Sequence, residues 1–229
     1  MTLISIHQPV YLPWLGFFKK ILESEIFVIL DDVQYEKNGW HNRNKIKTKD
    51  GDMWLTVPVH AKNNIKLNQI LIDNNSIWFK KHSKSIFINY KKANFFQQFW
   101  NDFELIYEKK FDRLIDLNLE IINLFLKKLD IKTRIVFSSE LNILKSGSNR
   151  ILEICKQLNA DTYLSGNLGS NYLQIQDFKD NKIDVLFQNF QHPTYSQLFD
   201  SFIPNLSTID LLFNAGPNAL NIIKQAKNF

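Results

Sequence analysis

Ile4-Ser5-Ile6-His7-Gln8-Pro9-Val10-Tyr11-Leu12-Pro13-Trp14-Leu15-Gly16 is the stretch on which the fold of this chain turns. Its first three residues read as a short strand that runs straight into a loop held by two prolines. Residues 14–23 have helical character, and a second apolar run, Ile26-Phe27-Val28-Ile29-Leu30, stops at the acidic pair Asp31-Asp32. Strand, loop, helix, strand is the opening of an α/β sheet, and open α/β sheets bind ligands outside the carboxyl ends of their strands. Both strand ends carry hydrogen-bonding side chains where a purely structural turn favours Gly, Asn or Ser. The N-terminal segment is therefore the first place to look for a site.

Working outward, Gln34-Tyr35-Glu36-Lys37-Asn38-Gly39-Trp40-His41-Asn42-Arg43-Asn44-Lys45 is polar without helical or strand period. It reads as a long ordered loop, and such loops in compact domains are usually functional. Gly51 turns the chain into an apolar strand over 54–59, and residues 65–72 alternate as a half-buried strand does. From Ser76 onward the spacing changes. Ile77, Trp78, His82, Ile86 and Tyr90, then Leu114, Leu117, Ile121, Ile122, Leu124 and Phe125, predict helices. Residues of about 76–130 form a helical insertion in a single domain spanning 1–229 on this reading. Strands are expected at 133–137, 162–164 and 183–187, helices at 148–158 and after the turn at 166–170. The fold class is α/β, a mostly parallel sheet with an inserted helical subdomain.

Composition sets outer limits. A chain of 229 residues suffices for one substantial core, and 45% apolar with 22% charged residues is ordinary for a globular protein. The formal charge of +5 suits anionic ligands, yet the lysines are dispersed, which makes nucleic-acid binding the weakest functional class. The single cysteine, Cys155, lies on an apolar helical face and reads as a buried structural thiol; it excludes an internal disulfide and a multi-cysteine metal site. No spacing among His7, His41, His60, His82 and His192 matches a zinc motif, so no metal ligands are assigned. With no signal-peptide pattern and no run approaching a membrane span, the expected location is cytoplasmic.

Several constellations can carry chemistry. His7 and Gln8 follow the first strand, and a histidine there can act as general acid or base, polarise a carbonyl or bind phosphate. Asp31, Asp32 and Gln34 end the second strand, where a carboxylate can take a substrate hydroxyl, an amine or hydrated magnesium, or can simply cap a turn. Arg43 and Asn44 suit phosphate and sugar hydroxyls, while Lys47 and Lys49 read as surface residues. Ser165-Gly166-Asn167-Leu168-Gly169-Ser170 follows a strand with small residues that let backbone N–H groups approach an anion. His192 comes just after the last strand and can share a site with His7.

The same residues carry a family resemblance. His7-Gln8-Pro9 with Tyr11-Leu12-Pro13-Trp14-Leu15-Gly16, Leu30-Asp31-Asp32-Val33-Gln34-Tyr35, Asn42-Arg43-Asn44 and Leu55-Thr56-Val57-Pro58-Val59 resemble the WbqC-like family. The likeness continues through Ser138-Ser139-Glu140-Leu141, the segment from Ala160 to Gly166, Gln191-His192-Pro193 with Tyr195, and Asp210-Leu211-Leu212-Phe213-Asn214. It implies a role in bacterial O-antigen or surface-polysaccharide biosynthesis, and a glycine transferase acting on an amino sugar has been suggested for such proteins. By analogy, the order strand, histidine loop, helix, strand ending in a carboxylate also occurs in Rossmann-like nucleotidyltransferase folds, although their paired HxGH histidines are absent.

These readings converge on a transferase that forms an amide on a nucleotide-linked amino sugar. His7 would serve as base or oxyanion stabiliser, with Asp31 and His192 as further catalytic candidates. Gln8, Tyr11, Trp14, Asp32, Gln34, Arg43, Asn44, Ser165, Gly166 and Gly169 would bind substrate. Free glycine with ATP and magnesium, glycyl-tRNA and a carrier-protein thioester stay open as donors, and a homodimer is compatible with the residues. The alternative class is a non-catalytic protein that binds a nucleotide sugar or glycan.

Overall fold

The computed structural model describes residues 1–61 and 64–228. In chain order its elements are β1 (Leu3–His7), α1 (Leu15–Leu22), β2 (Ile26–Ile29), β3 (Arg43–Thr48), β4 (Gly51–Thr56), β5 (Val59–His60) and β6 (Leu71–Ile72). Then come α2 (Trp78–Tyr90), α3 (Phe96–Glu108), α4 (Leu114–Lys128), β7 (Arg134–Phe137), α5 (Gly147–Gln157), β8 (Thr162–Ser165), α6 (Ile175–Asp180), β9 (Asp184–Phe187), α7 (Thr208–Ala215) and α8 (Ala219–Gln225). Short 3-10 turns at Leu67–Gln69, Ser138–Leu141, Asn167–Asn171 and Gly216–Asn218 join them.

The central sheet has five strands in the order β7-β2-β1-β8-β9, and every neighbouring pair is parallel. The chain starts in the middle, builds outward through β2 and β7, and returns to the other side of β1 for β8 and β9. The winding therefore reverses between β1 and β8, which is the switch point where open α/β sheets place their ligands. Register sharpens this. The β1–β2 ladder runs to His7 opposite Ile29, whereas the β1–β8 ladder stops at Ser5 opposite Leu164. Beyond that rung the carboxyl ends of β1 and β8 are no longer paired, at the position where sheets of this kind form their ligand crevice.

Strict alternation along the strands sorts the core into two layers. Ile4, Ile6, Ile26, Val28 and Val136 pack against Ile151, Ile154 and Cys155 of α5 and Phe178 of α6. Phe27 and Ile29 face the other way, into a larger core built on Phe17, Phe18 and Ile21 of α1. The helices α2, α3 and α4 add their apolar stripes to that second layer, among them Ile86, Phe96, Phe103, Leu117 and Phe125. Burial pushes the Cys155 thiol up to about 12, the behaviour of an inert packed sulfur.

Four expectations need correction. The polar stretch 34–45 is not loop throughout: β3 already begins at Arg43 and forms an antiparallel hairpin with β4, from Arg43 opposite Thr56 to Thr48 opposite Gly51. Its inward residues include Asn44, so the polar/apolar alternation that announces a strand is blurred. Residues 65–72 form a 3-10 turn and only a two-residue strand, because the buried positions Leu67, Ile70 and Ile72 are spaced by three and then two, so the strand period does not run through the segment. The 54–59 run is split between Thr56 and Val59, at Pro58, which has no N–H to give a ladder. The 166–170 turn opens only a five-residue 3-10 segment, with α6 starting at Ile175.

Candidate functional site

The crevice between β1 and β8 is filled by a lysine. The carbonyl of His7 accepts from Leu30 N–H on the β2 side at 2.9 Å, so the preceding carbonyl, that of Ile6, points toward β8. No rung of β8 reaches it. Lys20, rising from the middle of α1, donates its Nζ to the Ile6 oxygen at 3.2 Å instead. The side chain is 2% exposed. Gly166, just past the end of β8, lies alongside: a Cβ there would stand 3.9 Å from Nζ. Burial lowers the Lys20 ammonium to about 7, and among the described residues no carboxylate forms an ion pair with it. A buried cation without a counter-charge is costly, and such groups cluster at sites that receive an anion or move a proton.

His7 projects from the end of β1 on the α1 side, its ring edge-on to Phe17 with centroids 5.2 Å apart. Nδ1–H donates to the Gln8 carbonyl at 2.7 Å, which leaves the Nε2 lone pair free. Burial first, then the Lys20 and His41 charges, hold its pKa down to about 3. His41 is itself buried, donating Nδ1–H to the Pro9 carbonyl at 3.3 Å, and burial lowers its pKa as well. Asn118 fixes it from α4 by donating Nδ2–H to the His41 carbonyl at 2.8 Å. Three basic groups, Lys20, His7 and His41, thus converge where β1 ends; both imidazoles are held neutral, and an anion placed among them would favour the charged form of each.

The remaining sequence-selected residues are distributed more widely. Ser165 and Gly169 sit beside the crevice, in contact with each other: a Cβ on Gly169 would fall 1.9 Å from Ser165 Oγ, so only glycine fits. Asp31 and Asp32 face β7 instead. Asp31 Oδ1 accepts from Ser138 Oγ and Ser139 N–H, both at 3.0 Å. Asp32 accepts from Ser138 Oγ at 2.6 Å and from Arg150 at 2.5 Å. Burial opposes its ionisation, but Arg150 and Ser138 outweigh it and keep the Asp32 pKa below the usual carboxylate value. Gln34 donates to Asn64 at 3.2 Å on the surface. Arg43 binds the Asn38 carbonyl and lies over the Trp54 ring, 4.6 Å from its centroid. Asn44 is buried and donates to the Leu12 carbonyl at 2.5 Å, supporting the positive φ of Leu12.

Tyr11 turns inward. It is fully buried and its hydroxyl joins His82 Nδ1 at 2.8 Å and Tyr107 at 2.6 Å. Trp14 lies across Gly16 and meets Phe190 edge-on at 5.2 Å. His192 stands among Phe190, Tyr195 and Phe202, with Nδ1–H on the Pro193 carbonyl at 3.0 Å. Among the described residues no ring contact joins it to His7. Lys47, expected at the surface, is 1% exposed: the 197–201 loop covers it, and Nζ donates to Gln197 Oε1 at 3.1 Å and to the Ser201 carbonyl.

Sequence reasoning passed over Lys20 and His41, although one signal for Lys20 exists. In the tandem Lys19-Lys20, Lys19 has an acidic partner one turn on, Glu23, at 2.8 Å. Lys20 has Ser24 there, on an otherwise apolar helix face. It also passed over Asp210, a fully buried carboxylate on α7 that accepts from Tyr90 at 2.9 Å and Tyr195 at 2.8 Å. Among the described residues no group of three or more His, Cys, Asp or Glu side chains is arranged to hold a metal ion.

A five-stranded parallel sheet that reverses at β1 and β8, with basic side chains gathered at that reversal, defines a Rossmann-like α/β protein. The chain belongs to the WbqC-like protein family, whose profile matches residues 8–222. It is 33% identical over 231 aligned positions to a Mycobacterium tuberculosis protein described as uncharacterized, the alignment covering 99% of this chain and 100% of that one. No solved structure matches it. No helix among the described residues is long and apolar enough to cross a membrane.

Proposed function

We propose that this chain is a transferase that forms an amide on a nucleotide-linked amino sugar, in the assembly of a bacterial surface polysaccharide. The observation that carries the reading is the convergence of Lys20, His7 and His41 at the β1–β8 switch point. A sugar nucleotide brings the negative charge this crevice lacks, and its phosphates would sit against Lys20 and the Gly166 backbone. The amine nitrogen of the sugar attacks the carbonyl carbon of an acyl donor, most simply glycyl, and a C–N bond forms. The amine proton passes to His7 Nε2, the lone pair left free by the Nδ1–H bond to Gln8. The bond from carbon to the donor's leaving group then breaks, and His7 returns the proton to that group. With its pKa near 3 the imidazole alone is a poor base. Burial is the main cause of that depression and the Lys20 charge the second; a bound phosphate beside Lys20 would offset the second, so the base gains some strength when substrate is present.

The test is mass spectrometry of nucleotide-linked amino sugars incubated with the protein, glycine, ATP and magnesium, with glycyl-tRNA and an acyl thioester in parallel. A mass gain on one acceptor that vanishes in His7→Ala supports the reading, and the donor that works identifies the activation chemistry. A second reading, a non-catalytic sugar-nucleotide binder, draws on Asp31, whose Oδ1 is already engaged by Ser138 and Ser139 rather than free to orient an amine. It predicts acceptor binding, no product, and unchanged binding in His7→Ala.

A further inference from the structure

The outer face of the β3–β4 hairpin carries an aromatic stack that the basic crevice does not use. Trp40 and Trp54 lie with ring centroids 5.3 Å apart and planes inclined by 38°. Both rings are exposed, 51% and 41% respectively. Two cations lie over the Trp54 ring: the Arg43 guanidinium 4.6 Å from its centroid and the Lys45 ammonium at 5.0 Å. Lys45 also pairs with Asp52, and Arg43 with the Asn38 carbonyl, so both cations are fixed in place. The rings stay exposed to water, an apolar exposure that folding alone does not require, since the inner hairpin face already supplies Ile46 and Leu55 to the core.

We infer that Trp40 and Trp54, with Arg43, form a stacking subsite for the base of a nucleotide whose phosphate lies in the crevice of Lys20, His7 and His41. Two observations place the backbone that carries Trp40 against the loop leaving β1. Tyr11 N–H donates to the Trp40 carbonyl at 3.3 Å, and His41 donates to the Pro9 carbonyl at 3.3 Å, so residues 40–41 run against the loop that leaves β1. Trp40 is also the chain neighbour of His41, one Cα step of about 3.8 Å, which is short against the span of a nucleoside monophosphate. A base fits better than a sugar ring for an electrostatic reason. The cations over Trp54 draw on its π electrons, which favours adding an aromatic ring to the stack and weakens the electron-rich face that pyranose C–H groups seek. Base–aromatic stacking tolerates any base, so the subsite would hold the nucleotide without choosing strongly among bases.

This inference rests on the anion crevice, and calorimetric titration separates the two. The ligands are uridine and adenosine 5′-monophosphate, ribose 5-phosphate, glucosamine 1-phosphate and inorganic phosphate. Trp40→Ala should weaken both nucleotides about tenfold or more and leave ribose 5-phosphate unchanged, while Trp40→Phe keeps most of the affinity and controls for misfolding. Unchanged nucleotide affinity in Trp40→Ala, or no nucleotide binding by the parent protein, overturns the stack. An equal loss for glucosamine 1-phosphate overturns the base in favour of a sugar ring. Lys20→Met should weaken all the phosphate ligands. If it weakens none while Trp40→Ala still weakens the nucleotides, the crevice reading fails and the stack survives.

Discussion

Lys20 Nζ completes the hydrogen bonding of the Ile6 carbonyl, 3.2 Å away, in the place where a rung to β8 would otherwise continue the sheet. A neutral donor could do the same without a buried charge. The protein therefore keeps a cation where stability alone would remove it, and the substitution Lys20→Met should expose this. Replacing the buried charge by an apolar chain of similar length removes its desolvation cost, set against about 1–3 kcal/mol for the Ile6 carbonyl left without a donor, and the net change is expected to be stabilising. It should at the same time abolish or severely weaken anion binding. Chemical denaturation with and without inorganic phosphate measures both; a variant that is less stable and still binds phosphate normally would remove Lys20 from the site.

The same residue predicts a pH dependence. In the unfolded chain Lys20 titrates near 10.5, and in the folded protein near 7. Below about pH 7 both states carry the proton and the folded state bears the full penalty of the buried charge. Between about 7 and 10.5 the unfolded state holds more protons, so stability rises with pH as the penalty is relieved. The parent should gain stability relative to Lys20→Met over that window. Parallel slopes for the two proteins between pH 7 and 10 would contradict a buried, depressed ammonium.

Asp32 runs in the opposite sense to a buried cation. Arg150 and Ser138 hold its pKa below the unfolded value despite burial, and the pair is 13% and 15% exposed at Arg150 and Asp32. The stabilisation is present above the unfolded carboxylate range and is lost as the pH falls through the folded pKa. Arg150→Met should therefore cost about 2–3 kcal/mol at pH 7. The gap between variant and parent should narrow as the pH drops below about 4, the unfolded carboxylate value. Urea midpoints at pH 7 and pH 3 decide it, and an equal gap at both would show that packing rather than charge is lost.

The central strands could be read from the sequence because they are buried on both faces and so appear as short unbroken apolar runs: all four residues of Ile26–Ile29 are buried. The β3–β4 hairpin could not. Its outward positions Arg43, Lys45 and Trp54 are stacked on one another, its inward Asn44 is polar, and Lys47, on the same face as Arg43 and Lys45, is buried under a loop; their partners, Leu12, Tyr90 and Gln197, lie elsewhere in the chain. The site divides the same way. His7 and Gly166 announce themselves by standing at strand ends. Lys20 gains its meaning only from the halted β1–β8 ladder, and Tyr11, which looks like a wall residue by its place in the loop, is drawn into the core by His82 and Tyr107. Contacts between distant segments are not written in local spacing.

Asp210 makes a stability prediction with an internal ranking. Tyr90 is used twice: it donates to Asp210 Oδ2 at 2.9 Å and accepts from the Lys47 backbone N–H at 2.8 Å. Tyr195 donates to Oδ1 at 2.8 Å. Tyr195→Phe removes one bond from a buried carboxylate and a long 3.4 Å contact from Gln197 Nε2, which keeps the Ile203 carbonyl as acceptor, and should cost about 1–3 kcal/mol; Tyr90→Phe orphans a backbone donor and should cost more, about 2–4 kcal/mol. Thermal or urea unfolding of the two variants gives the order directly, and a milder Tyr90→Phe would mean that water replaces the lost hydroxyl.

Gly16 lies in the first turn of α1, where alanine would ordinarily help a helix by up to about 1 kcal/mol. Here the opposite is expected. A Cβ on residue 16 would meet three carbons of the Trp14 indole at 2.3–2.6 Å, and that ring is pinned on its other side by Phe190 at 5.2 Å. The Gly16 carbonyl also accepts from the buried Gln188 amide at 3.0 Å, so the helix start cannot drift away from the ring without breaking that bond. Overpacking of this kind costs about 1–3 kcal/mol, which for a chain of this size lowers the melting temperature by roughly 2–12 °C. Adding Trp14→Ala to Gly16→Ala removes the clash and should make the pair of substitutions less costly than the sum of the two alone. Strict additivity in that double-mutant cycle would show that the indole had already moved aside.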